Sequence, residues 1–259
     1  TGMAHTMIAN RVSYCLNLQG PSEVVDTACS SSLIAIHHAA EAIRQGECET
    51  AIAGGVSVVL TPEVTISIDQ MGILSPEGRC KTFDQSANGY VRGEGVAAIL
   101  LKPSARAVDD GDTVYALIKA SGSNHGGRAN SLVSPNSEAQ ARLIVDTYTK
   151  ANIRPETVSY IELHGTGTAL GDPVEIDGLK NAFKQLTKLF GTFSSGLSSS
   201  ASSTSANYCA LGSVKANIGH LEPAAGIAGV IKVLLAMKYK TIPGSVHLEK
   251  INPYIRLKN

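Results

Sequence analysis

Val24-Val25-Asp26-Thr27-Ala28-Cys29-Ser30-Ser31-Ser32-Leu33 passes from a β-branched run into small polar residues and then into a helical pattern. Leu33, Ile36, Ala40 and Ile43 keep the three-and-four spacing of one helix face, and Gly46 supplies a C-terminal stop. The stretch therefore predicts a strand-to-helix corner with Cys29 at or just before a helix N-terminus. Unpaired backbone N–H groups and the positive end of the helix dipole favour an anion there, which lowers a thiol's pKa. A sharp corner also lifts the side chain clear of the backbone, as it does for the serine of a nucleophile elbow. The competing reading is an inert, buried, space-filling thiol, the usual fate of a cysteine among small residues. This stretch by itself leaves both open.

Composition narrows what such a thiol could be for. The 259 residues are 43% hydrophobic and 17% charged, an ordinary globular balance with room for one large core or two packed halves. Lys+Arg 22 against Asp+Glu 22 gives no net charge, and without a basic block or aromatic stripe, nucleic-acid and polybasic membrane binding are disfavoured. Five cysteines, Cys15, Cys29, Cys48, Cys80 and Cys209, form no C-x-x-C pair, so neither a disulfide framework nor a zinc site has its usual spacing. The longest apolar run, Ile227 to Met237, is broken by Gly229 and Lys232 and is too short to span a bilayer. With no charged-then-apolar leader at the start, the expectation is a cytoplasmic protein.

Along the chain, Ala51 to Leu60 reads as a buried strand broken by Gly54-Gly55 and ended by Pro62, and Val96 to Leu101 as a central strand. The glycines Gly89, Gly93 and Gly95 precede a strand and lack a Gly-Lys-Ser/Thr, so they suit close backbone packing better than a phosphate loop. Thr113 to Ser121 is a further strand candidate. Glu138 to Ala151 is expected to be helical with Ala141, Ile144, Val145 and Tyr148 on one face, and Val158 to Leu163 to be a strand. His164-Gly165-Thr166-Gly167-Thr168 follows at that strand's end. Asp172 as N-cap, Pro173 at the first helical position and Glu175 then begin a helix. Residues 189–207 are dominated by serine and read as a flexible surface loop. Ala210 to His220 reads as strand and turn, and Pro223 to Lys238 as a helix whose Ala224, Ala225, Gly226, Ala228 and Gly229 allow very close packing. Alternating strands and helices argue for a layered α/β fold.

Cys29, His164, Lys215 and His220 each flank a short apolar strand and lie in Gly/Ser/Thr-rich turns. Asp26-Thr27-Ala28-Cys29-Ser30-Ser31-Ser32, His164-Gly165-Thr166-Gly167-Thr168 and Lys215-Ala216-Asn217-Ile218-Gly219-His220, in that order, resemble the β-ketoacyl synthase family. Lys81-Thr82-Phe83-Asp84 and Gly89-Tyr90-Val91-Arg92-Gly93-Glu94-Gly95 extend the resemblance over nearly the whole chain, and it looks closest to ketosynthase domains of modular polyketide synthases. The resemblance implies a thiolase-like α/β fold of two related halves in a layered α-β-α-β-α arrangement, normally a homodimer. Residues 1–134 would form the half with the nucleophile and 135–259 the half with both histidines.

Carried over position by position, the resemblance makes Cys29 the acylated nucleophile, and His164 and His220 the pair serving decarboxylation and condensation. Lys215 would support them electrostatically. Thr166 and Thr168 would line the entrance for the pantetheine arm, with Asn217 assigned to substrate binding beside them. No metal and no resident cofactor is implied; substrates would arrive on the 4′-phosphopantetheine of an acyl carrier protein. Further partners would be other polyketide synthase domains and, from the similarity of Asn124-His125-Gly126-Gly127-Arg128 to assembly lines of that type, an acyltransferase acting in trans. The family's opening region and its closing Gly-Phe-Gly-Gly-Thr-Asn segment are expected to be missing, and the serine-rich stretch to be an addition. Two alternatives stand beside chain elongation: a non-elongating domain that only transfers acyl chains, and an inactive structural fragment. The first is disfavoured by the presence of His164.

Overall fold

The computed structural model describes residues 2, 4–131, 133–193 and 208–257. They form two compact units whose segments alternate along the chain: residues 1–58, 94–118 and 221–238 in the first, and 59–93, 119–220 and 239–259 in the second.

The first unit holds α1 (Met7–Cys15), a single 3-10 turn at Ala28–Ser30, α2 (Ser31–Gln45), β1 (Ala51–Ser57), β2 (Gly95–Leu101), α4 (Ser104–Asp109) and most of α8 (Ala225–Tyr239). α2 ends as its sequence requires, with Gly46 at φ 77° and its N–H returned to the last turn. β1 and β2 form an antiparallel pair, Ala51 opposite Leu101 and Ser57 opposite Gly95. Ile36, Ala53, Leu221, Ala224 and Ile227 pack together as the core. Close approach of three elements is what makes that core. A Cβ on Gly55 would lie 2.9 Å from Ser32 Cβ and 3.0 Å from Ala224 Cα, and one on Gly226 only 2.4 Å from Leu33 Cγ. The Ser32 hydroxyl, 1% exposed, accepts the Ile227 N–H at 3.0 Å, so α2 satisfies one of the unpaired N–H groups at the start of α8.

The second unit holds α3 (Pro62–Gln70), α5 (Ser137–Lys150), β3 (Tyr160–Glu162), α6 (Gly171–Phe193), β4 (Ala210–Gly212) and α7 (Lys215–Ile218). β3 and β4 pair in parallel, Tyr160 with Ala210 and Glu162 with Gly212. Ile176, Leu179, Phe183 and Leu186 repeat at three and four residues along α6, and Ile176 and Leu179 join Phe83, Leu163 and Ile255 in the core. Asn136 caps α5, its Oδ1 accepting from Glu138 and Ala139 N–H at 3.1 and 3.2 Å. α6 crosses close to that start, where a Cβ on Gly178 would meet the Ser137 carbonyl at 2.9 Å.

Asp84 ties the C-terminal segment to this unit. It is 4% exposed, and its carboxylate accepts from Ser86 N–H and hydroxyl at 2.7 and 2.6 Å and from Glu249 and Lys250 N–H at 2.8 and 2.9 Å. Burial alone would raise its pKa, but these donors outweigh burial and hold the carboxyl well below its ordinary range.

Several expectations are corrected. Val24-Val25 and Thr113–Ser121 carry no strand, because a strand exists only through its ladder, and among the described residues β1 and β2 pair only with each other. The apolar run of β2 is not a two-sided central strand. Its burial alternates, with Val96 80% and Leu100 68% exposed. β1 stops at Ser57, before Pro62, which instead opens α3. The serine-rich reading of 189–207 fails at its start, since Leu189 to Phe193 belong to α6, and residues 194–207 lie outside the described ones.

Two stability tests follow. Gly55→Val, which must displace backbone, is expected to cost about 1–3 kcal/mol in a urea melt, whereas Gly244→Ala, with open space around it, leaves the midpoint unchanged. Asp84→Asn is expected to lower stability at neutral pH by about 1–3 kcal/mol and to flatten the acid limb. The wild-type contribution of a depressed carboxyl is present above about pH 4 and lost as pH falls toward its folded pKa.

Candidate active site

In the first unit, Cys29 is the central residue of the 3-10 turn that runs into α2, which is the helix-entry position read from the sequence. Ala28 before it has φ 55°, a left-handed conformation that costs a residue with a Cβ about 1–2 kcal/mol. The turn is laced to hold it. The Ala28 N–H donates to Asp26 Oδ1 at 3.1 Å, and the Ala28 carbonyl accepts from the Ser31 hydroxyl at 2.6 Å. The Thr27 N–H donates to Ser31 Oγ at 2.9 Å, while the Ser30 hydroxyl donates to the Thr27 carbonyl at 2.9 Å. Cys29 itself is half-buried.

In the second unit, the sequence brings two histidines together from segments 56 positions apart in number, 164 and 220. His164 stands just beyond β3 and His220 just beyond α7, with ring centroids 5.3 Å apart and planes at 87°. The His220 ring also meets Tyr90 edge-on at 5.0 Å. Its backbone is fixed on both sides, its N–H to the Val91 carbonyl at 2.8 Å and its carbonyl to Gly93 N–H at 2.9 Å. Gly219 makes this possible: φ is 77°, and a Cβ there would press on Val91 O at 3.1 Å.

His164 is held through its main chain as well. Glu175, in the first turns of α6, accepts the His164 N–H at 2.6 Å on one oxygen and the Gly165 N–H at 2.9 Å on the other. The Ser213 hydroxyl donates to the His164 carbonyl at 3.2 Å, and the Thr82 hydroxyl donates to the Gly165 carbonyl at 2.6 Å. Asp172 was expected to cap α6, but the helix begins at Gly171 and Asp172 turns back instead. Its two oxygens accept the N–H groups of Gly167 at 3.1 Å and Phe83 at 2.8 Å. The reason is that these buried loop N–H groups have no ladder partner, so a carboxylate in the adjoining turn serves them.

Lys215, 4% exposed, opens α7 and shapes the electrostatics. Burial first, then Lys215, then His164 push the His220 imidazole down to about 3. Burial and Lys215 likewise push His164 down to about 4, although the residue is exposed and water screens part of that depression. Both rings are therefore neutral at physiological pH, each with one N–H donor and one acceptor nitrogen. Burial also raises the Glu175 and Asp172 carboxyls, against the lowering effect of the N–H groups they accept and of Lys215.

Of the remaining sites read from the sequence, Thr166 and Thr168 lie side by side with hydroxyl oxygens 3.3 Å apart, and Thr168 Oγ1 also accepts the Gly171 N–H at 3.2 Å. Asn217 is exposed on α7. Among the described residues no group of His, Cys, Asp and Glu is placed to hold a metal ion. Sequence reasoning missed Glu175, Asp172, Ser213 and Thr82 as partners of the histidine loop. The signal was present, since Asp172 and Glu175 are three apart on the first turn after that loop. Acids at a helix start are ordinarily read as dipole partners, however.

Comparison with known proteins decides the family. Residues 1–107 match the β-ketoacyl synthase N-terminal domain and residues 115–249 the β-ketoacyl synthase C-terminal domain. The chain belongs to the β-ketoacyl synthase family. It is 58% identical over 251 residues to polyketide synthase PksN of Bacillus subtilis, covering 96% of this chain and 4% of PksN. It is 48% identical over 252 residues to polyketide synthase ThaG of Burkholderia thailandensis, covering 97% of this chain and 4% of ThaG. Among solved structures, the ketosynthase from module 6 of the bacillaene synthase from Bacillus subtilis 168 superposes with TM-score 0.90 at 41% identity, covering 99% of this chain and 43% of that one. The Streptomyces albus JA3453 oxazolomycin ketosynthase domain OzmH KS7 gives 0.88 at 42% identity, covering 98% and 42%. This chain thus spans under half of each solved ketosynthase and a small part of each curated relative. The recognition of a polyketide synthase ketosynthase and of an α/β, thiolase-like fold is borne out.

The electrostatics are directly testable. In 15N-labelled protein the His220 ring is expected to keep neutral-imidazole shifts from pH 8 down to pH 5, where an exposed histidine is largely protonated. Because a histidine depressed in the fold must be deprotonated to remain buried, the stability it contributes is full above the unfolded value near 6.5 and declines as pH falls below it.

Proposed function

We propose that this ketosynthase catalyses the decarboxylative Claisen condensation of polyketide chain elongation. The observation that carries the reading is the pair of neutral, backbone-anchored imidazoles of His164 and His220 beside buried Lys215. Two nearly orthogonal rings within reach of a lysine's charge suit an oxyanion that forms during reaction, for which preorganised donors are usually the largest single source of acceleration.

In this reading Cys29 as thiolate attacks an acyl thioester on a carrier protein; the acyl–sulfur bond moves to Cys29 Sγ and the carrier thiol leaves. Malonyl-carrier protein then loses CO2, and the electron pair of the broken carbon–carbon bond becomes an enolate whose oxygen takes hydrogen bonds from His164 and His220. The enolate carbon attacks the Cys29-bound carbonyl, a carbon–carbon bond forms, and the Cys29 thiolate is released. Lys215 favours the enolate's negative charge, and it keeps the imidazoles uncharged so that they do not carry the charge themselves. Thr166, Thr168 and Asn217 contact the pantetheine-borne substrate. Residues 1–134 and 135–259 act as the nucleophile and histidine halves of a thiolase-like pair. The partners are an acyl carrier protein with its 4′-phosphopantetheine, other polyketide synthase domains, an acyltransferase acting in trans and a second copy of the chain, all in the cytoplasm.

The test is mass spectrometry of the protein with an acyl-carrier donor and malonyl-carrier protein. Wild type should give a β-ketoacyl product and Cys29→Ala none. His164→Ala should still self-acylate at Cys29 while decarboxylation falls by about 10²–10⁴. Product from Cys29→Ala would overturn the proposal. Acylation of wild-type Cys29 with malonyl thioester left intact would instead favour the non-elongating role.

A further inference from the structure

We infer that Ser31 is a positioning residue for Cys29, holding the residue before the nucleophile in its strained conformation. The inference rests on the reading of Cys29 as the nucleophile. Ala28 at φ 55° would relax to an ordinary backbone conformation if its peptide groups were free to turn. Its N–H is fixed from one side by Asp26 Oδ1 at 3.1 Å. Its carbonyl is fixed from the other by the Ser31 hydroxyl at 2.6 Å, and the same oxygen receives the Thr27 N–H at 2.9 Å. One hydroxyl therefore brackets the strained residue, accepting the Thr27 N–H from the Asp26–Thr27 peptide and donating to Ala28's own carbonyl.

Ser31 can do this because its own place is rigid. It is 4% exposed and is the first residue of α2, and the next residue, Ser32, is locked 1% exposed against the start of α8 through the Ile227 N–H. Alanine at position 31 keeps the helix, its packing and the Ser31 N–H on the Ala28 carbonyl, but removes that carbonyl's hydroxyl donor and leaves the Thr27 N–H without the oxygen that accepts it. Ala28 would then turn, and Cys29 would leave its setting at the helix entry, where N–H groups favour a thiolate. A left-handed Ala28 instead of glycine also explains why a clamp is needed at all, since glycine would hold that conformation without one.

The experiment measures iodoacetamide alkylation of Cys29 across pH by peptide mass spectrometry, with exposed Cys15 as reference within the same chain. In Ser31→Ala the Cys29 rate at pH 7 is expected to fall about tenfold relative to Cys15, its pH midpoint rising by about one unit. Ser31→Thr, which keeps the hydroxyl, should stay near wild type, and Ala28→Gly/Ser31→Ala should recover most of the rate. An unchanged rate in Ser31→Ala overturns the inference. So does a double variant as slow as the single one, which would mean that Ser31 acts through packing alone. If Ser31→Ala does not fold, the double variant decides in the same way: wild-type alkylation supports the clamp, and slow alkylation or failure to fold overturns it. A wild-type Cys29 no faster than Cys15 would point to a different failure, that of the nucleophile reading, and would take this inference with it.

Discussion

Backbone that leaves a helix or a strand to present a reactive side chain has no ladder to satisfy its N–H and C=O groups, and once buried those groups cannot turn to water. That constraint shapes everything around the histidines. Between His164 and Gly167 the chain is irregular, and its polar groups are taken up by Glu175, Asp172, Ser213 and Thr82. The backbone of His220 is instead taken up by Val91 and Gly93. Thr82, Val91 and Ser213 come from segments distant from the loops they hold or from each other, so the two rings keep their 5.3 Å separation only when the second unit is folded. Rigidity of the rings is thus a property of the main chain that carries them.

The same burial sets the electrostatics. A cationic lysine 4% exposed beside two imidazoles, one of them 1% exposed, would be a poor arrangement if the rings were charged, since like charges that close repel, most strongly where water is excluded around Lys215 and His220. Burial and Lys215 resolve this by keeping the rings neutral. The carboxylates of Asp172 and Glu175 lie near enough to Lys215 for its charge to lower their pKa, so the lysine is stabilised by acids whose oxygens are already committed to backbone N–H groups. A buried cation beside neutral imidazole donors remains, which is the combination the proposed enolate oxygen would use.

Much of this was legible in the sequence, and the exceptions have physical causes. Periodicity found α2 and α5, because their apolar stripes are long, and it placed Cys29 at a helix entry because small polar residues followed by a 3.6-residue repeat have few other meanings. The motifs around His164, Lys215 and His220 were visible as short polar turns after strands. Strands were read less well. Val24-Val25 and Thr113–Ser121 have strand composition, but pairing depends on a neighbour that local sequence does not name, and the two-sided burial expected of β2 depends on what covers its second face. The roles of Asp172 and Glu175 were misread for a related reason: one acid at a helix start can serve the helix's own N–H groups or those of a loop, and only the fold says which.

The cysteine turn and the histidine loop, in different units, solve one mechanical problem by different chemistry. At Gly165 and Gly167, with φ 44° and 80°, the left-handed conformation is carried by glycine, and carboxylates serve only the freed N–H groups. At Ala28 the residue itself resists, and hydroxyls with an aspartate must hold it. The difference has a consequence for precision. Glycine adopts its conformation cheaply but surrenders more chain entropy on folding and defines its angles loosely. An alanine forced left-handed by hydrogen bonds on both sides is defined by those bonds, so the sulfur one residue later inherits their geometry. Where the reacting atom must be set to within a fraction of an ångström, a strained residue that is clamped is the tighter solution.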